Sequence, residues 1–421
     1  MFSLFNRHRQ IVRRERGPLR IAFIITSMPV GGAETLLVNL IDRFDEQRCQ
    51  AAVICLKEAG PLGEILAQQI PVHTHLLRSK YDFLVLPRLA KLLKASHIDA
   101  VVTVGAGDKM FWGRLAARLA GIPVICSALH STGWPDGVGR LNRLLTPLTD
   151  GFIAVANSHA EFMREHERFP VDRVHVIRNG VDTNRFVASQ QARQNLRDVL
   201  GLAADTPLVG IVAALRPEKN HSMFLEMANR VRQRFPHCHF VVVGDGPCRQ
   251  EIDTQLATLE LTDCVHMLGT CADTPQIVAA LDLFALCSHN EASPVSILEA
   301  LSCQVPVVST DVGSIHESVI ENETGYRVQA GDLSAFVEKI CHLLEHPRHR
   351  ESFGRRGREL VIATGSLESM VAGYENLVEQ LYDRHALASP ASDGLWISRD
   401  IAGKSQHVAG GAVVLGKRIG L

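Results

Sequence analysis

A chain of 421 residues exceeds the size at which one hydrophobic core usually keeps growing, so two domains are expected. Hydrophobic residues make up 46% and charged residues 21%, with 44 Lys and Arg against 45 Asp and Glu, a balance that describes a soluble globular protein and argues against general nucleic-acid binding. Ten cysteines form no C-x-x-C pair and no zinc-like spacing with histidine. Those inside apolar runs, such as Cys55, Cys126 and Cys287, fit small buried hydrophobes in a reducing cytoplasm.

The first 19 residues form a basic arm, with Arg7, Arg9, Arg13, Arg14 and Arg16 against the single acid Glu15, and with Phe2, Leu4, Phe5, Ile11 and Val12 interspersed. Such an arm suits an anionic membrane surface, which would make the protein peripheral at the inner face of the membrane, and it equally suits a solvated tail. It lacks the apolar core of a signal peptide, and no run of about eighteen apolar residues suggests a membrane span.

From residue 20 short apolar runs alternate with longer helical patterns, the signature of parallel sheets with crossover helices. Seven candidate strands fall at 20–25, 51–56, 72–77, 100–104, 123–128, 152–156 and 174–177. Gly31 and Gly32 lie between the first strand and a helical stripe of Leu36, Leu37, Leu40 and Ile41, at the strand end where open α/β sheets bind ligands; a tight turn without a ligand would use the same residues. His130 ends another strand and faces the same rim if the strands are parallel. After the turn-rich Arg178-Asn179-Gly180-Val181-Asp182, a polar helix at 190–200 falls within a linker placed at 183–206.

The second half restarts with candidate strands at 208–215, 239–243, 265–268, 283–287, 305–309 and 325–328. Arg216 and Lys219 lie just beyond the first of these, and Gly244-Asp245-Gly246 just beyond the second. Glu291 and Glu299 stand eight positions apart around a helix start, with Ser293 suited to the N-cap and Pro294 to the first helical position. The backbone N–H groups near Val295 and Ser296 would favour a phosphate, and a carboxylate on either side suits the hydroxyls of a sugar nucleotide. Solvated glutamates on a capped amphipathic helix would give the same pattern. A last stripe of Met370, Tyr374, Leu377 and Leu381 marks an amphipathic helix at 366–384, and periodicity is lost from 385 to 421.

Taken together, these pieces resemble the retaining glycosyltransferases of family 4. The E-x7-E segment from Glu291 to Glu299 carries most of the resemblance, together with Gly31-Gly32-Ala33-Glu34, Asn179-Gly180-Val181-Asp182 and Gly244-Asp245-Gly246. The resemblance implies the GT-B architecture: two Rossmann-like parallel-sheet domains facing a cleft, an acceptor-side domain at 20–185, a donor-nucleotide domain at 186–365, and a final helix crossing back to the first. It implies that Glu299 holds the ribose, Glu291 the donor sugar, and the Val295 and Ser296 amides, next to Ser293, the distal phosphate. Lys219 would balance the diphosphate, Gly31 and Gly32 would close on the phosphate and acceptor, and His130 would border the transferred sugar. The base would rest on backbone near Gly244, Gly246, Leu268 and Gly269. One departure stands out: the family pattern R-x-x-x-x-K puts Ala214 where an arginine belongs, leaving Arg216 as the candidate substitute.

The partners implied are a nucleotide-diphosphate sugar and a glycan or lipid-linked hydroxyl acceptor, with no nucleic acid. No cofactor is expected, and no Asp-x-Asp pair offers a seat for a metal ion. An oxidoreductase would want a G-x-G-x-x-G run after a strand, and Gly105-Ala106-Gly107 is followed by Met110 in the third glycine's place. A non-catalytic sugar-nucleotide binder and a GT-B epimerase or phosphorylase remain open alternatives.

Overall fold

The computed structural model describes residues 17–79, 82–105, 107–130 and 143–388. Most of the basic arm and the segment 389–421 lie outside the described residues, so the membrane reading of the one and the tail reading of the other do too.

The apolar runs form two parallel sheets. In the first half, β1 (Leu19–Ile25), β2 (Cys49–Cys55), β3 (Val72–His73), β4 (Ala100–Val104), β5 (Val124–Ala128), β6 (Gly151–Ala154) and β7 (Val174–Val176) pair in the order β3-β2-β1-β4-β5-β6-β7. In the second, β8 (Leu208–Val212), β9 (His239–Val243), β10 (Val265–Gly269), β11 (Leu283–Leu286), β12 (Val307–Thr310) and β13 (Gly325–Val328) pair in the order β10-β9-β8-β11-β12-β13. Inner strands such as β4, β5 and β11 are buried at every position, which is why they read as unbroken apolar runs rather than alternating ones. In each sheet the order reverses beside the first strand, between β1 and β4 and between β8 and β11. Crevices open at the carboxyl ends of the strands at such reversals.

The last helix, Leu367–Ala388, returns to the first half. Met370, Tyr374, Leu377, Val378 and Leu381 join the core formed by β1, β2, β4 and β5. The Tyr374 ring packs 6.5 Å from that of Phe23, and Arg48 donates to Glu375 and Glu379 at 2.6 Å each. The chain thus crosses between the halves twice, and the crossings bond to each other: the Val181 amide donates to the Gly365 carbonyl at 2.9 Å and the Leu367 amide to the Val181 carbonyl at 3.0 Å. They run so close that a Cβ on Gly180 would sit 2.5 Å from the Ser366 carbonyl oxygen.

Several sequence expectations need correction. The third strand ends at His73 because His75 turns the chain with φ of 59°, after which the His75 and Leu77 amides donate to the loop following β2. The first strand of the second half ends at Val212 rather than Leu215. The polar helix Gln190–Leu200 is no linker: its buried Arg197 donates to Asp282 at 2.7 Å and to the Thr206 and Ala280 carbonyls, fixing it to the second half. The final helix continues to Ala388, past the point where the tail was placed. Cys55, Cys126 and Cys287 are buried free thiols, and burial pushes that of Cys55 up to about 11.

Leu377 is almost fully buried in the first half's core. Leu377→Ala should therefore cost about 2–5 kcal/mol, read as a lower urea midpoint. An unchanged midpoint would show that the returning helix is dispensable to that core.

Candidate functional site

At the reversal point of the second sheet, the loops after β8 and β11 meet. Lys219 Nζ lies 2.5 Å from Glu291 Oε1, and Ser288 Oγ donates to the same oxygen at 2.7 Å. Glu291 is only 8% exposed, so its carboxylate depends on these two partners in place of water. The His289 amide donates to the Glu218 carbonyl at 2.8 Å and fastens the two loops to each other.

The β8 loop is in turn laced to its neighbour. The Leu215 amide donates to Asp245 and the Cys248 amide to Leu215, both at 3.0 Å. Here the glycines have a role that the sequence did not reveal. A Cβ on Gly244, where φ is 137°, would come 2.0 Å from the Ala213 carbonyl oxygen, and one on Gly246 would come 2.6 Å from that of Leu215. Their first service is close approach of backbone to backbone, and the Gly244 amide is already spent on the Gly269 carbonyl at 2.8 Å. Gly269 follows Leu268 at a register shift in β10, with φ of 67°.

Arg216 and Lys219 share a loop but not an environment. The Arg216 side chain is 60% exposed, and among the described residues its ion pair is a 4.0 Å approach to Glu218. Lys219 alone reaches the buried carboxylate.

The helix Val295–Ser302 starts one residue later than Ser293 as N-cap would require. Pro294 occupies the cap in extended conformation, and Ser293 makes no side-chain cap bond. Its carbonyl is drawn away by Asn179 Nδ2 at 2.9 Å, from the crossing segment. The Val295 and Ser296 amides open the first turn and have no acceptor within the helix. The strap before the helix is held from the other side by the loop after β12. Ser314 Oγ donates to the Ala292 carbonyl, and a Cβ on Gly313 would come 1.7 Å from that of Glu291. Val295 itself packs against the first half's core rather than the second's.

Glu299, just over one turn into this helix, is part-buried. Desolvation raises its pKa to about 7, against a smaller opposing pull from Arg185.

On the facing half, Gly31 is the extended cap of the helix Gly32–Asp42. A Cβ there would stand 2.5 Å from Glu34 Oε2, whereas one on Gly32 would meet open space. His130, at the carboxyl end of β5, keeps partial solvent access. Desolvation above all, then His159 and Lys109, lowers its pKa to about 4, so its imidazole is neutral at pH 7. The arrangement offers one cation, two unpaired amides, two carboxyls and a neutral imidazole. It lacks the dense carboxylate set of a metal centre, and among the described residues no group of three or more ligating side chains could hold a metal ion. Sequence reasoning missed Ser288, Ser314 and Arg185, which carry no local pattern of their own, and it marked Gly313 only as part of the family resemblance, without a role.

Two family models match the chain. "Glycosyl transferases group 1" covers residues 192–360 and "Glycosyltransferase Family 4" covers residues 30–185. The chain is 25% identical over 344 residues to the UDP-Gal:alpha-D-GlcNAc-diphosphoundecaprenol alpha-1,3-galactosyltransferase of Escherichia coli, spanning 78% of this chain and 88% of that protein. It is 27% identical over 290 residues to the GDP-mannose-dependent alpha-(1-6)-phosphatidylinositol monomannoside mannosyltransferase of Mycolicibacterium smegmatis, spanning 65% and 74%. The fold superposes on that of Anabaena HepE in complex with UDP-glucose with a TM-score of 0.75 at 21% identity, covering 87% of this chain and all of the other.

A carboxyl whose folded pKa lies above its unfolded value favours the folded state at low pH. For Glu299 that contribution is complete below about 4.5, its ordinary value, and is lost as pH rises through about 7. Glu299→Gln should thus match the parent's urea midpoint at pH 4 and exceed it at pH 8. Equal midpoints at both would show that the carboxyl titrates normally.

Proposed function

Since the chain belongs to the group 1 and family 4 glycosyltransferases of the GT-B fold, enzymes that transfer sugar from nucleotide sugars, we propose that its cleft performs a configuration-retaining transfer from a nucleoside-diphosphate sugar to a hydroxyl. The observation that carries this reading is the pair of buried Glu291 and part-buried Lys219 beside the open helix start at Val295. An incoming diphosphate offers Lys219 a second anion, while the Val295 and Ser296 amides take the distal phosphate oxygens. Glu291, already oriented by Ser288, accepts hydrogen bonds from hydroxyls of the donor sugar. Glu299 accepts from the ribose diol. Gly32, with open space on its Cβ side, lets the facing helix start approach the phosphate, and neutral His130 bonds a sugar hydroxyl without adding charge.

In the reaction the bond from the anomeric carbon to the diphosphate oxygen breaks and its electron pair leaves with the phosphate. The acceptor oxygen bonds to the same face of the carbon, and its proton passes to the departing phosphate oxygen. Negative charge grows on the phosphate as the bond breaks, so the preplaced cation and amides act most strongly in the transition state.

The galactosyltransferase relative is named for a UDP-sugar and a diphosphoundecaprenol-linked acceptor, and HepE was crystallised with UDP-glucose. Both support a UDP-sugar donor here, and the name of the galactosyltransferase supports a lipid-linked glycan acceptor. The GDP-mannose dependence in the name of the other relative makes GDP the comparison to run.

Glu299→Ala should weaken UDP binding about ten- to a hundredfold in calorimetry, the usual cost of losing a charge-assisted hydrogen bond. Unchanged affinity, or tighter binding of GDP by the parent, would overturn the ribose or the base assignment respectively. A non-catalytic binder would bind UDP yet release none from a UDP-sugar in the presence of acceptor.

The exposure of Arg216 separates it from Lys219. Lys219→Ala should lower kcat more than it raises the donor KM, because the lost attraction grows as the leaving group departs. Arg216→Ala should have a smaller effect on kcat. Equal losses would mean that the arginine swings in from solvent when donor binds and replaces the arginine missing at Ala214.

A further inference from the structure

The short turn Ile315–Glu317 follows β12 in the donor half, yet the Glu317 carboxylate is spent on the other half. Its Oε1 accepts from the Ser158 amide at 2.8 Å and from Ser158 Oγ at 3.0 Å. Its Oε2 accepts from the Asn157 amide at 3.2 Å, from Asn157 Nδ2 at 3.1 Å and from Arg178 Nη2 at 3.0 Å. The helix Asn157–Glu165 has Ala156 in its cap position, with no side-chain oxygen to offer. A carboxylate about 160 residues away in sequence caps it instead. Burial alone would raise the Glu317 pKa, but the bonds from Ser158, Asn157 and Arg178 outweigh it and hold the group below its usual value.

Both ends of this contact lead into the site. On the donor side the same loop supplies Gly313 and Ser314, which grip the Glu291–Ala292 backbone. On the acceptor side the capped helix extends β6, whose Ile153 carbonyl accepts from Leu129 at 3.1 Å, next to His130. The helix also carries buried His159, whose Nδ1 accepts from the Val155 amide at 3.3 Å and whose ring opposes protonation of His130.

We propose that Glu317 is a positioning residue for the transfer, a cap placed across the two halves that sets Glu291 in register with His130. The proposal rests on the reading that those two residues face one donor sugar. A displacement of about 1 Å between groups that must act together can cost roughly a hundredfold in rate, so a contact remote from the chemistry can govern it.

The test uses the full chain with Glu317→Gln, which keeps the shape but removes the charge. Expected are a kcat lower by about ten- to a hundredfold, a UDP dissociation constant within about twofold of the parent, and a small-angle scattering profile of the UDP complex that shifts toward a more open particle. In the proposed site the base, the ribose and the Lys219 and Val295 phosphate contacts all belong to the donor half, so retained UDP affinity reports that this half is folded. Asn157→Ala combined with Ser158→Ala removes donors only from the opposite half and should lower kcat in the same direction, by less, because the two backbone amides remain. The proposal is overturned if Glu317→Gln keeps the parental kcat, or if kcat and UDP affinity fall together, the mark of general damage to the donor half. A parent chain that does not bind UDP would instead overturn the site reading beneath it.

Discussion

A buried carboxylate and the lysine that faces it hold one another at 2.5 Å at the one place in the second sheet where strand order reverses. Such a pair is costly to bury and holds only when the loops that carry it are fixed in good geometry. Much of the surrounding backbone can be read as meeting that condition. The loop bearing Lys219 is sewn to the β9 loop by main-chain bonds that only glycine at 244 and 246 permits, and the loop bearing Glu291 lies directly on Gly313. On the function proposed above, a diphosphate would meet this pair already held in place by its loops.

The two halves meet through polar contacts concentrated near the crossings. Asn179 reaches Ser293 just ahead of the helix Val295–Ser302, Arg43 pairs with Asp182, and Arg358 donates to the carbonyls of Thr183 and Phe186. Apart from Val295, the large apolar clusters stay within their own half or belong to the returning helix. An interface of hydrogen bonds and ion pairs around two adjacent strands of chain is suited to small rotations, since such bonds can be exchanged for water at little cost.

Much of this was legible in the sequence, and for a reason. Strands buried on both faces leave apolar runs that need no tertiary information to find, and all thirteen described strands fall on runs marked in advance. The stripe of Met370, Tyr374, Leu377 and Leu381 was visible because a helix that buries one face must repeat at helical spacing. What failed were readings that depended on a distant partner. Ser293 has the right chemistry for a cap, and nothing nearby shows that Asn179 will claim its carbonyl. Gly244 and Gly246 announce a close approach without saying to what. Glu317 sits in a polar turn with no periodicity, and its significance appears only when a helix from the other half arrives with an empty cap.

The returning helix has a consequence for how the protein is made. Synthesis delivers β1 through β7 first, but the apolar face that Met370, Tyr374, Leu377 and Leu381 complete stays bare until the last part of the chain has emerged. The second half has its own continuous core, drawn from residues 181 to 361, and can settle while the ribosome is still working. The half that begins the chain is therefore the half that finishes last, and between those two moments its sheet is the surface a chaperone would meet.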